Sequence, residues 1–202
     1  MTSATDLTLV REYDGLKVSL HPLQGLWTEE QYLRLSDHTR HLIEFTDGMI
    51  EVLPMPTDKH QVMLLLLYDW FRLWVDRLGG KVLVAPLRLQ IRPGKHREPD
   101  ILLVRDAHDP RRQNRYWLGA DLVVEIVSPD DPERDTVVKV VDYAEAGIAE
   151  YWLVDPVAEQ ITVLTLEGAA YVAHGRFARG EQATSLILPG FEVAVSAVFD
   201  AT

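Results

Sequence analysis

A carboxylate inside the most apolar strand-like run of a chain needs a reason to be there. Glu125 interrupts Leu122-Val123-Val124-Glu125-Ile126-Val127, and an unpaired buried carboxylate costs several kcal/mol or gives up its charge. Glu125 therefore needs a partner. One reading satisfies it with an arginine or with water at a sheet edge; the other makes it part of a functional cluster. Asp100 follows Pro99 at the head of a second apolar run, Ile101-Leu102-Leu103-Val104. Alone it reads equally well as a turn or strand-start aspartate. If the two runs are neighbouring strands, however, two hard oxygen ligands converge on one point. Mg²⁺ takes such a donor set, with water and a substrate phosphate completing its octahedron.

The elements that would position these groups are legible in the pattern around them. Thr28 as N-cap and Gln31 as its capping-box partner open a short helix through 32–35. Runs 41–46 and 49–53 flank Asp47-Gly48, a strong hairpin signal. After Pro54 and Pro56, Thr57 and Asp58 lead into a long helix expected over 62–78, which stops at Gly79-Gly80. With Leu64, Leu65, Leu67, Tyr68, Phe71, Leu73, Trp74 and Val75 it is apolar enough for a central packing helix. Further β-like runs occupy 81–85, 87–92 and 98–104, with a turn at Arg92-Pro93-Gly94-Lys95 between the last two. Run 121–128, which holds Glu125, has the composition of a strand covered on both faces. Residues 133–146 read as a helix ended by Gly147, with Lys139, Asp142 and Tyr143 on one face. Lysine on a helix commonly faces solvent, so Lys139 is ambiguous on periodicity alone. Runs 150–155, 160–166 and 170–174 complete the β content. The expected fold is a mixed α/β (α+β) core: a central mixed sheet flanked by helices, an N-terminal hairpin and a β-rich C-terminal extension, in a single domain over 1–202.

Composition removes several chemistries. The chain has no cysteine, so disulfides, thiolate zinc sites and a cysteine nucleophile are out, and any metal is held by oxygen or imidazole. His38, His41, His96, His108 and His174 show no HExxH-type spacing. No serine lies in a GxSxG context, Lys59 follows no glycine-rich phosphate loop, and GxGxxG is absent. The opening MTSATDLTLVREYDG lacks a basic flank followed by an apolar core, and the longest apolar run, 62–67, is too short to span a bilayer. A soluble, cytoplasmic protein is expected. The net charge of −11 argues against a surface that coats nucleic acid throughout. Residues 88–115 nevertheless hold eight basic side chains against four acidic ones, a strip that either meets a polyanion or is a solvated loop.

Pro99-Asp100 followed by Glu125 in a buried strand resembles the PD-(D/E)xK nuclease superfamily. Longer strings are closer still to the Uma family of restriction endonucleases: Asp121-Leu122-Val123-Val124-Glu125-Ile126-Val127-Ser128-Pro129, then Lys139, Tyr143, Ala146-Gly147-Ile148, and Glu150-Tyr151-Trp152-Leu153-Val154-Asp155. Upstream, Ile43-Glu44-Phe45-Thr46-Asp47-Gly48-Met49-Ile50-Glu51 and the pair His60-Gln61 also fit. The resemblance spans residues 28–190 or so. It implies a restriction-endonuclease-like core with Asp100, Glu125 and Lys139 as catalytic residues. Asp100, Glu125 and the main-chain carbonyl of Ile126 would hold Mg²⁺ (or Mn²⁺).

The superfamily's lysine two residues after the glutamate is missing, because that position is Val127. Lys139 on the following helix takes its place in the Uma-like pattern. Glu44, Glu51, His60 and Tyr143 are accessory candidates for the rim or a second ion. Hydrolysis of DNA phosphodiester bonds by a homodimer is the implied activity. Its rivals are an inactive nuclease-fold protein that binds nucleic acid or a protein partner, and a structural homo-oligomer in which an arginine satisfies Glu125.

Overall fold

The computed structural model describes residues 8–10 and 13–201; part of the opening segment read above as lacking a leader, residues 1–7, 11 and 12, lies outside the described residues. In chain order come β1 (Thr8–Val10), β2 (Lys17–Ser19), α1 (Glu29–Ser36), β3 (Ile43–Thr46), β4 (Met49–Val52), α2 (Asp58–Arg77) and β5 (Lys81–Val84). Then follow β6 (Leu89–Arg92), β7 (Lys95–Arg97), β8 (Ile101–Val104) and β9 (Leu122–Ile126). A π-helical turn (Arg134–Val138) runs into α3 (Lys139–Glu145). The chain ends in β10 (Glu150–Asp155), β11 (Gln160–Glu167), β12 (Ala170–Ala178), β13 (Gln182–Thr184), β14 (Glu192–Ala194) and α4 (Val195–Phe199). Two compact units form, Met1–Met55 with Arg92–Glu98, and Pro56–Ile91 with Pro99–Thr202.

In the first unit the expected capping box is present, with Thr28 and Gln31 bonded reciprocally at the start of α1. Tyr32 on that helix is fully buried, stacks on Phe45 at 4.9 Å and donates its hydroxyl to the Ile43 carbonyl at 3.1 Å. β3 pairs with β4 through the Asp47-Gly48 turn, and β7 adds to the other side of β3, all antiparallel. Asp47 and Gly48 both take the left-handed conformation, at φ 46° and 85°. A Cβ at Gly48 would meet the Gly25 carbonyl oxygen at 2.6 Å. Gly48→Ala is therefore expected to cost about 1–3 kcal/mol from backbone strain before the clash is counted, read as a lower urea midpoint.

The second unit is built on a six-stranded sheet, β12-β11-β10-β9-β8-β5. β9 and β10 are parallel and every other neighbouring pair is antiparallel, so the sheet is mixed. A parallel pair needs a crossover, and the π turn with α3 supplies it. The two faces bury different residues. Ile101, Leu103, Leu122, Val124 and Trp152 join Met63, Leu67, Phe71 and Val75 of α2 in one cluster. Leu102, Val104, Val123, Val127 and Tyr151 join Tyr143 in the other. Coverage on both faces explains why the β9 run lacks polar alternation. Period two puts Glu125 on the same face as Val123 and Val127, the side of α3.

Local differences from the sequence expectation bear on the site. Run 98–104 is not one strand: Pro99 has no N–H for the ladder, β7 ends before Glu98 and β8 begins after Asp100. α2 starts at Asp58, four residues ahead of the expected 62, because Thr57 caps it by accepting from the His60 N–H at 3.2 Å. His60 thus sits in the first turn. The segment 182–199, unread in the sequence, forms β13, β14 and α4. Among the described residues no helix is long and apolar enough to cross a membrane.

Candidate active site

The antiparallel register of β8 and β9 pairs Ile101 with Val124 and Leu102 with Val123. Continued by one step it sets Asp100 opposite Glu125, at the end of the β9 strand. One oxygen of Asp100, Oδ2, accepts the Ile126 N–H at 2.7 Å and lies 3.1 Å from His60 Nε2. The capped start of α2 carries that imidazole to the strand end. His60 Nδ1 is buried and has no hydrogen-bond partner.

Glu125 is 3% exposed and is held from the α3 side. Its Oε1 accepts from the Tyr143 hydroxyl and lies 2.9 Å from Lys139 Nζ. Lys139 and Tyr143 are four residues apart and meet the same oxygen, as helical neighbours can. Burial, helped by the charges of Asp100 and Asp135, pushes the Glu125 carboxyl well above its usual range against the opposing pull of Lys139 and the Tyr143 hydrogen bond.

Asp135 completes the arrangement and was not among the residues read from sequence. It is 4% exposed, with Oδ1 3.1 Å from Lys139 Nζ and Oδ2 accepting the Ser128 N–H at 3.3 Å. Its main-chain carbonyl accepts the buried Tyr151 hydroxyl at 2.9 Å. Burial first, then the charges of Glu125, Asp135 and Asp100, raise the Tyr151 hydroxyl, which keeps it a donor. The available signal was the spacing of Asp135 and Lys139 by one helical turn.

Asp100, Glu125, Lys139, His60 and Tyr143 are thus assembled within the second unit. Glu44 and Glu51 belong to the first. There Glu44 is buried and satisfied locally, 3.6 Å from Arg97 Nε and accepting the Glu98 N–H at 3.2 Å. Glu51 stands opposite it on β4 and is exposed. The basic side chains of 88–115 have largely found internal partners. Arg92 pairs with Asp47 at 2.7 Å, and Arg111 bridges Asp109 and Asp121 at 2.6 Å each. Arg112 lies 5.5 Å from the centre of the Trp117 ring.

A divalent cation fits this donor set. Asp100 and Glu125 supply the donor oxygens, and burial first, then the neighbouring charges of Asp100 and Asp135, makes Glu125 hold its proton more tightly while no cation is bound. Asp100 Oδ1 and Glu125 Oε2 are the oxygens not taken by the bonds above, and the buried Nδ1 of His60 adds an unsatisfied polar atom beside Asp100. Among the described residues no three or more Asp, Glu or His side chains are grouped to hold a metal.

No curated protein matches the sequence. Among solved structures the chain is similar to "a putative nuclease belonging to DUF820" from Anabaena variabilis ATCC 29413, with 20% identity, a TM-score of 0.69, and coverage of 86% of this chain and 97% of that one. At that identity the likeness shows the fold, a nuclease-like mixed α+β architecture. The family model Uma2, described as "Putative restriction endonuclease", matches residues 29–196. That match takes in both strands of the carboxylate pair and the helix of Lys139, and the chain belongs to the Uma2 family.

Proposed function

We propose that the protein is a Mg²⁺- or Mn²⁺-dependent endonuclease that hydrolyses DNA phosphodiester bonds. The observation that carries this reading is the buried Glu125, joined on one oxygen by Lys139 and Tyr143 and set by register opposite Asp100. Asp100, Glu125 and the main-chain carbonyl of Ile126 would hold the ion. When bound, it supplies Lewis acidity toward the scissile phosphate and lowers the pKa of a water. The chain's own groups do the rest. Lys139 brings a fixed positive charge to the strand end, where it orients the attacking water or offsets charge that develops on the phosphate. Tyr143 holds the glutamate rotamer. His60 and the Ile126 N–H hold Asp100.

A homodimer acting in the cytoplasm would give duplex DNA two such centres. The rival reading, a fold that retains DNA without cutting it, draws on the intact lysine being displaced from its usual position, now Val127. The test is direct. The native chain should give a saturable Mn²⁺ isotherm by calorimetry and should nick supercoiled DNA with Mg²⁺ or Mn²⁺ but not with EDTA. An absence of both metal binding and cleavage, with a DNA duplex present, removes the catalytic reading; DNA retention without cleavage selects the rival.

A further inference from the structure

The nuclease reading assigns no task to Asp135, yet this side chain is as buried as Glu125 and touches the same ammonium. We propose that Asp135 is a positioning residue that aims Lys139 at the Glu125 end of the site; the proposal rests on the nuclease reading for the reaction that Lys139 serves. Neutralising Lys139 does not require Asp135. Glu125 at 2.9 Å already pairs with that charge, and the second carboxylate leaves the cluster with excess negative charge in a site where burial makes this costly. What Asp135 adds is direction. A lone lysine on a helix is a four-carbon stem with several rotamers and three rotatable donors. Carboxylates from β9 and from the preceding π-helical turn hold Nζ at 2.9 and 3.1 Å.

Asp135 is itself fixed from two directions. The Ser128 N–H, just past β9, bonds Oδ2, and Tyr151 on β10 bonds the Asp135 carbonyl. Both donors lie on or beside the strands whose ends form the site. The π-helical turn Arg134–Val138, a form that recurs at functional sites, places Asp135 within it and Lys139 at its end. The local backbone therefore serves the geometry of one lysine. Partners of this kind, which orient a group without touching the substrate, typically cost about 10–100-fold in activity or metal affinity when removed.

Asp135→Asn keeps the side-chain shape and removes the charge. In this variant kcat for Mn²⁺-dependent DNA cleavage is expected to fall about 10–100-fold, while KM and the Mn²⁺ isotherm stay near native, because Asp100 and Glu125 are untouched. A second readout does not depend on cleavage. Labelling of Lys139 by an amine-reactive ester, followed by peptide mass spectrometry with exposed Lys17 as internal reference, is slow in the native chain and should speed up in Asp135→Asn. Should that variant fail to fold, Asp135→Glu, which keeps the charge but moves it by one methylene, is expected to lower kcat and loosen Lys139 in the same sense. Native kcat in the folded variant, or Lys139 labelling at the native rate, overturns the proposal and leaves the nuclease reading standing. If the native chain cuts nothing, the nuclease reading falls separately and the labelling rate alone decides whether Asp135 positions Lys139.

Discussion

Asp100→Asn and Glu125→Gln should each lower DNA cleavage by about 10²–10³-fold and weaken Mn²⁺ binding beyond detection, while the protein stays folded. The isosteric amides are chosen because the local bonds survive them. An asparagine at 100 still offers an oxygen to the Ile126 N–H, and a glutamine at 125 still accepts from Tyr143. Glu125→Gln is also expected to alter the pH dependence of stability in metal-free buffer. The folded carboxyl of Glu125 lies well above its ordinary value of 4.5. Between those two values the native state binds more protons than the unfolded chain, so stability falls as pH rises through that window. The glutamine variant removes this slope and should be at least as stable as the native chain at pH 8. Cleavage within threefold of native in either folded variant would remove that carboxylate from the catalytic assignment; a Glu125→Gln protein that keeps the native stability slope would remove the buried-charge argument.

The site was legible where burial and charge conflict within a short string. Glu125 in an apolar strand demands a partner, and the structure supplies Lys139 and Tyr143, both on the helix face that periodicity predicts. The adjacency of Asp100 and Glu125 followed from two apolar runs being neighbouring strands, and β8 and β9 are neighbours. Asp135 was harder to see. It sits in an acidic loop-to-helix segment after Pro129-Asp130-Asp131-Pro132, where an aspartate is most simply a solvated helix-start residue, and only the turn of the backbone makes it internal. Glu44 shows the converse: a residue that matched the family string is satisfied by Arg97 and Glu98 of its own unit.

The basic window 88–115 shows the limit of a charge count. A charge count cannot tell a free arginine from Arg111, already shared by two aspartates. The fold was read best where elements are long and strongly patterned, as in α2 and β9 to β11. It was read least well where three-residue strands such as β7, β13 and β14 depend on the strand beside them rather than on their own sequence.

Lys139→Met should be the most damaging single change to stability, at about 3–5 kcal/mol in metal-free buffer near neutral pH, because it leaves buried carboxylates without their cation. Glu125 and Asp135 both lose a partner at 3.1 Å or closer. Methionine fills the stem's volume, so the loss reports the charge rather than a cavity. The deficit should shrink as pH falls. Lys139 is the largest influence that lowers the Glu125 carboxyl, and without it the folded value rises further, so protonation relieves the repulsion at a higher pH than in the native chain. Combined with Glu125→Gln, the substitution should cost clearly less than the sum of the two, since the glutamine removes one of the charges that Lys139 balanced. Additive losses would mean that Lys139 and Glu125 do not act as a pair. A Lys139→Met protein that keeps both native stability and native cleavage would return the lysine to the solvent-facing role that helix lysines usually have.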